Sequence, residues 1–192
     1  FLPIEAFRGN DVTEDFNRAT FAEIIQNPSA PAEKSWYYST FSSEYKYVSA
    51  TSANLIKAGS ASHEFSLPLF GSEKSVSGKD YAGKVILLEF WIFHCGACQA
   101  AVQKLNELKR KFENTELEIV AVNFDDTPRL IELFVDKFKP EFPILYNGAS
   151  TAKQFGVSYY PTIVLVGKDG KVRYSGEFDV QKIDELIKAN LL

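Results

Sequence analysis

Methionine is absent from all 192 residues, and cysteine and histidine occur only twice each. Two cysteines cannot staple a chain of this length, so a disulfide framework is excluded and the fold must rest on a hydrophobic core. A surplus of positive charge is also missing: 21 Lys and Arg are interspersed among 25 Asp and Glu, for a net charge of -4. Phosphate binding needs clustered bases, so nucleic acid is not an expected partner. No long hydrophobic run exists either. The longest, Val85 to Phe93, is too short to span a bilayer and carries Glu89, so it reads as a buried strand. With 45% apolar and 14% aromatic residues against only 11 Gly and 8 Pro, collagen-like structure and global disorder are excluded. The length corresponds to about 1.3 domains of roughly 150 residues, one sizeable core plus an appendage. The chain opens on Phe1 without an initiator Met, and the expectation is a signal segment absent from this chain, with room for a membrane tether upstream.

From Asp80 onward, strand and helix patterns alternate, the signature of an α/β layer fold. Gly83-Lys84 opens an apolar strand over 85–92. The segment Cys95 to Phe112 then reads as a helix, with Cys98, Val102, Leu105, Leu108 and Phe112 on one face. A strand over 117–124 leads to a helix from Pro128 to about Lys139, striped by Leu130, Ile131, Phe134, Val135 and Phe138. A short strand over 142–146, a short helix over 150–155 ending at Gly156, and a strand over 162–166 follow. The turn Gly167-Lys168-Asp169-Gly170 makes a hairpin with 171–175, and Asp179 is placed to cap a last helix. Asp125 and Asp126 read as a cap and turn for the helix at Pro128. Residues 1–60 lack this alternation and form an appended region of unassigned role, ahead of a main domain over 61–192. Within it, Phe16 to Gln26 carries a helical stripe that stops at Asn27-Pro28, and 28–33 resembles a linker. The aromatic-rich stretch Trp36 to Val48 fits a strand or a helix equally.

The chemistry is concentrated at Cys95-Gly96-Ala97-Cys98. Lying between a buried strand and the start of a helix, both sulfurs fall where unpaired backbone N–H groups and the helix dipole favour negative charge. Cys95 should be the thiolate nucleophile, since a cysteine so placed has its pKa lowered from about 8.5 to roughly 3.5–7.5. Cys98, one turn inward, should be the buried resolving thiol that attacks the mixed disulfide on Cys95. Glu89 is the one charge in the apolar run. Desolvation should raise its pKa toward neutrality and suit it to accept the Cys98 proton.

These residues resemble a known family. Val85 to Cys98, an apolar strand with an internal acid, then Phe90-Trp91, then the Cys pair, is similar to the thioredoxin superfamily pattern. Tyr160-Pro161-Thr162 resembles its cis-proline loop, Gly167 to Gly170 its hairpin, and Gly176 the glycine that follows. His63-Glu64-Phe65-Ser66-Leu67-Pro68, Gly83-Lys84 and the extra helix and strand between Asp126 and Tyr146 resemble the TlpA/ResA branch. The resemblance covers about residues 62–192. It implies a thioredoxin-like α/β fold, a central mixed sheet flanked by helices, here with an N-terminal extension. It further implies a cis bond at Pro161 that presents the Tyr160 backbone to substrate and keeps metal off the thiols. The substrate-binding surface would comprise Tyr160, Pro161, Trp91, His94, Gly96 and Ala97. His94 stands where the family usually has Trp, and Ala97 where many members have Pro. A protonated His94 would stabilise the Cys95 thiolate and make the pair more oxidising.

The activity implied is that of a thiol-disulfide oxidoreductase reducing disulfides of partner proteins outside the cytoplasm, fed by an upstream redox donor protein. Members of that branch often serve cytochrome c maturation or the rescue of oxidised cysteines. No cofactor beyond the Cys95-Cys98 disulfide is called for. The alternative within the same chemistry is a disulfide isomerase or oxidase. A copper-binding protein using His94, Cys95 and Cys98 is a third reading, disfavoured because nothing downstream offers a further His or Cys to close a site, and no metal ligands are assigned. A peroxidase of the peroxiredoxin type would need Pro-x-x-x-Thr-x-x-Cys, which is lacking.

Overall fold

The computed structural model describes residues 5–10, 15–20 and 55–191. The chain falls into two compact units, Phe1–Ser49 and Ala50–Leu192. In the first, β1 (Glu5–Asn10) pairs antiparallel with β2 (Asp15–Thr20), in register from Glu5 opposite Thr20 to Asn10 opposite Asp15. The helix expected from Phe16 is therefore a strand through Thr20. A spacing of four residues, which Phe16 and Thr20 share, belongs to both the helical and the extended period, so it could not discriminate. The remainder of that stretch, the linker at 28–33 and the aromatic stretch 36–48 lie outside the described residues.

The second unit is built on a five-stranded mixed sheet of order β7-β6-β5-β8-β9. Its strands are β5 (Val85–Trp91), β6 (Leu117–Asn123), β7 (Ile144–Leu145), β8 (Thr162–Val166) and β9 (Val172–Gly176). β5 lies at the centre, parallel to β6 and antiparallel to β8. Successive side chains of a strand point to opposite faces, and β5 is apolar on both because both are covered. Val85, Leu87 and Trp91 join one core with residues of α1 (Gly96–Lys111), α2 (Pro128–Phe138) and α4 (Val180–Leu191). Ile86, Leu88 and Phe90 join the other, with Ala152 and Phe155 of α3 (Ala149–Phe155) and with Ile56, Phe65 and Leu67. The second unit takes in the chain from Leu55 onward: Ile56 N–H donates to Phe155 O, and Gly59 N–H to Val172 O.

Local chemistry explains most boundaries. Asp179 Oδ1 accepts from the Gln181 and Lys182 amides, each at 3.1 Å, capping α4 as expected. Gly156 adopts φ 73 at the end of α3, a left-handed conformation that glycine takes without steric cost. The strand expected over 142–146 shrinks to Ile144–Leu145, since Pro143 has no N–H to give a ladder. Two short strands, β3 (Ser66–Pro68) and β4 (Ser75–Ser77), form a separate hairpin followed by a 3-10 turn at Gly78–Tyr81.

Candidate active site

β5 ends at Trp91, and residues 92–94 carry the chain to Cys95, the N-cap of α1. Helix amides at this position have no partner within the helix, and one of them, Cys98 N–H, points at Cys95 Sγ at 3.1 Å. The sulfur thus sits in the positive field of a sixteen-residue helix. Cys95 and Cys98 form a disulfide with their Cα atoms 5.2 Å apart. Cys98 is fully buried while Cys95 is half-buried, so one sulfur is within reach of solvent and the other is not. Such an asymmetry is what a thiol exchange between an attacking and a resolving sulfur requires.

Glu89 sits two residues before Trp91 and four after Val85, on the β5 face that packs against α1. Its register partners are Ala121 and Ile163, both in the core that also contains Cys98. It is 2% exposed, and Glu89 Oε1 has no hydrogen-bond partner among the described residues. Desolvation pushes its carboxyl from 4.5 up to about 8. At neutral pH it is mostly protonated, yet close enough to titration to exchange a proton.

The Tyr160-Pro161 peptide bond is cis. Tyr160 and Pro161 line a groove of about 650 Å³ together with Ala97, Ala101, Tyr159 and Phe178. Tyr160 packs against the cores on both faces of the sheet, its ring 5.8 Å from that of Phe124. Burial, with the Asp126 carboxylate nearby, pushes its phenol up to about 12, so it stays a neutral hydroxyl. The structure therefore brings Ala97, Tyr160 and Pro161 to one open surface, with His94 and Gly96 exposed beside Cys95.

Trp91 does not belong to that surface. It is fully buried, stacked on Phe134 at 3.9 Å and 26°, and its position in β5 points it into the α1/α2 core rather than towards substrate. Nor does Asp126 cap α2, whose N-cap is Thr127 with Pro128 behind it. Asp126 Oδ2 instead accepts from the Phe93 amide at 2.7 Å, across 33 residues of sequence. Spacing within the Asp125-Asp126-Thr127-Pro128 run gave no sign of this, because the contact joins two strand ends that only the parallel pairing of β5 and β6 makes neighbours. Among the described residues no group of three or more His, Cys, Asp and Glu is placed to hold a metal ion.

Comparison with known proteins agrees with this geometry. Residues 58–175 match the AhpC/TSA family. The thiol-disulfide oxidoreductase ResA of Bacillus thuringiensis subsp. konkukian is 33% identical over 118 residues, 60% of this chain and 68% of that protein. The thioredoxin-like protein YneN of Bacillus subtilis is 30% identical over 121 residues, 62% of this chain and 70% of YneN. Among solved structures, a Chlorobium tepidum protein provisionally assigned as thiol:disulfide interchange protein DsbE superposes with a TM-score of 0.67 at 27% identity, covering 71% of this chain and 99% of that one. The thioredoxin domain of a Bacteroides vulgatus thiol-disulfide oxidoreductase shares the fold, with a TM-score of 0.65 at 18% identity, covering 71% and 99%.

Proposed function

The chain belongs to the AhpC/TSA family and is a thioredoxin-like thiol-disulfide oxidoreductase; from that premise we propose that it reduces disulfides of partner proteins outside the cytoplasm through Cys95 and Cys98. The observation that carries the reading is the pair of unequal sulfurs at one helix N-terminus, Cys95 capping α1 within reach of solvent and Cys98 sealed beneath it. In the reduced protein the Cys95 thiolate, favoured by the α1 dipole, attacks one sulfur of a substrate disulfide. A mixed disulfide forms and the other substrate sulfur leaves as a thiolate. Where Glu89 is ionised, Cys98 then loses its proton to that carboxylate, which lies in the same buried layer, and attacks Cys95 Sγ. The second substrate sulfur departs, two electrons have passed to the substrate, and the protein is left with the Cys95-Cys98 disulfide.

Tyr160 and Pro161 form the wall against which an extended substrate segment lies, with Ala97 opposite and His94 and Gly96 beside the nucleophile. An upstream dithiol protein returns the two electrons. Among the described residues no helix is long and apolar enough to cross a membrane, and placement outside the cytoplasm rests on the kinship with the ResA and DsbE proteins. Substrates would be proteins whose cysteines must be kept reduced there, as in cytochrome c maturation.

The deciding measurement is the reduction potential of the Cys95-Cys98 pair in glutathione or dithiothreitol buffers. A value towards the thioredoxin end, about -270 mV, is expected of a reductase. A value near about -120 mV would overturn the reading in favour of an oxidase or isomerase.

A further inference from the structure

The turn that delivers Cys95 is held on both sides of one residue, Phe93. Phe93 N–H donates to Asp126 Oδ2 at 2.7 Å, and Phe93 O accepts from Gln99 Nε2 at 2.9 Å. Gln99 belongs to the first turns of α1, so the second bond ties the turn to the helix that Cys95 caps. The first ties it to the loop after β6. Asp126 is itself fixed: the same Oδ2 accepts from Asn123 Nδ2 at 2.7 Å, and Asp126 N–H donates back to Asn123 Oδ1 at 2.9 Å. Asn123 is fully buried at the end of β6, opposite Trp91 in register, and Phe124 N–H donates to Trp91 O at 3.1 Å. A buried, mutually hydrogen-bonded amide of this kind has one arrangement open to it, and so has the carboxylate it grips. The half-buried Asp126 therefore places its carboxylate on the amide of Phe93, two residues before the nucleophile.

We propose that Asp126 is a positioning residue for the thiol exchange reaction, clamping the 92–95 turn from the β6 side and opposing the Cys95 thiolate with its charge. The inference rests on the oxidoreductase reading above and deepens it. Two consequences follow from the geometry. The clamp keeps Cys95 Sγ in line with the α1 amides, which favours the thiolate. The carboxylate acts in the other sense, disfavouring a second negative charge nearby and holding the pair towards the reducing end, because a stabilised thiolate is what makes such pairs oxidising.

Both bonds to the Asp126 side chain converge on one oxygen, so the two effects can be separated. Asp126→Asn can keep both with its Oδ1 while losing the charge; Asp126→Ala loses everything. The experiment measures three quantities on each full-length variant: the Cys95 thiolate pKa from the pH dependence of iodoacetamide alkylation, the reduction potential against glutathione, and the exchange rate of the Phe93 amide by NMR. Asp126→Asn is expected to leave Phe93 exchange near wild type, to lower the Cys95 pKa and to make the potential less negative. Asp126→Ala is expected to speed Phe93 exchange by at least about tenfold, as loss of a charge-assisted hydrogen bond predicts. Gln99→Ala, which frees the opposite side without changing charge, is expected to slow attack on a disulfide without the potential shift of Asp126→Asn, and it remains informative should Asp126→Ala fail to fold. An unchanged Cys95 pKa and potential in Asp126→Asn, or unchanged Phe93 exchange in a folded Asp126→Ala, would overturn the proposal. A wild-type protein that reduces no protein disulfide would overturn the function instead, since none of the three quantities requires a protein substrate.

Discussion

Glu89→Gln tests the central electrostatic claim, because it replaces the buried carboxyl by a group of the same shape that does not titrate. The folded protein holds the Glu89 proton up to about pH 8, whereas an unfolded chain releases it near 4.5. Between these values the native state binds more protons than the denatured one, so the contribution of Glu89 to stability is complete below about pH 4.5 and is lost as pH rises through about 8. At 1.36 kcal/mol per pH unit, the full span is about 5 kcal/mol, of which about 3 kcal/mol is already lost at pH 7. Gln at this site carries its own desolvation cost of about 1–3 kcal/mol, but that cost does not vary with pH. The stability difference between variant and wild type should therefore move in favour of Gln by about 5 kcal/mol from pH 4 to pH 9. Guanidinium unfolding of the oxidised proteins, followed by Trp fluorescence across that range, measures it; titration of all other groups cancels in the difference. Parallel stability curves would refute the assignment of Glu89 as a buried, proton-holding acid, and with it the proton acceptor of the exchange step.

Cys95→Ser should abolish turnover, whereas Cys98→Ser should accumulate mixed disulfides with substrate, visible on non-reducing gels and by intact mass. The rate of the resolving step, isolated by rapid mixing, should rise with pH to a plateau above about 8 as Glu89 becomes able to accept a proton, and Glu89→Gln should slow that step and remove the inflection while leaving initial attack intact. Trp91→Ala empties the stack on Phe134 and should destabilise the fold by about 3–5 kcal/mol in chemical denaturation. Gly148→Ala would place a Cβ 2.5 Å from Asn123 O and 2.6 Å from Val122 Cγ1, so it should lower Tm and, by displacing Asn123, weaken its grip on Asp126; an unaltered Tm would show that the loop yields where the packing says it cannot.

Much of the architecture is legible in the sequence. Unbroken burial of β5 on both faces, the one-face stripes of α1 and α2, and the Asp179 cap of α4 are local patterns, and local patterns survive folding because neighbours in sequence remain neighbours in space. The Cys95 and Cys98 pair and Glu89 were visible for the same reason: a two-residue spacing at a helix start and a lone charge in an apolar run are both read along the chain. The β2 strand shows the limit of such patterns, since a four-residue spacing does not choose between helix and strand until a partner such as β1 pairs with it.

What the sequence by itself determined, then, was the sulfur pair and its helix: which two cysteines come together, which end of α1 holds them, and which acid must be desolvated to lie in β5. What only the tertiary structure decided was how the rest is aimed. Trp91, beside the motif in sequence, is turned into the core, because alternate residues of a strand covered on both faces must all be buried. Asp126, outwardly a helix-cap residue, reaches Phe93 because parallel pairing sets the ends of β5 and β6 side by side. Contacts of that kind depend on which strands become neighbours, a choice made by the packing of the whole domain and not by any window of its sequence.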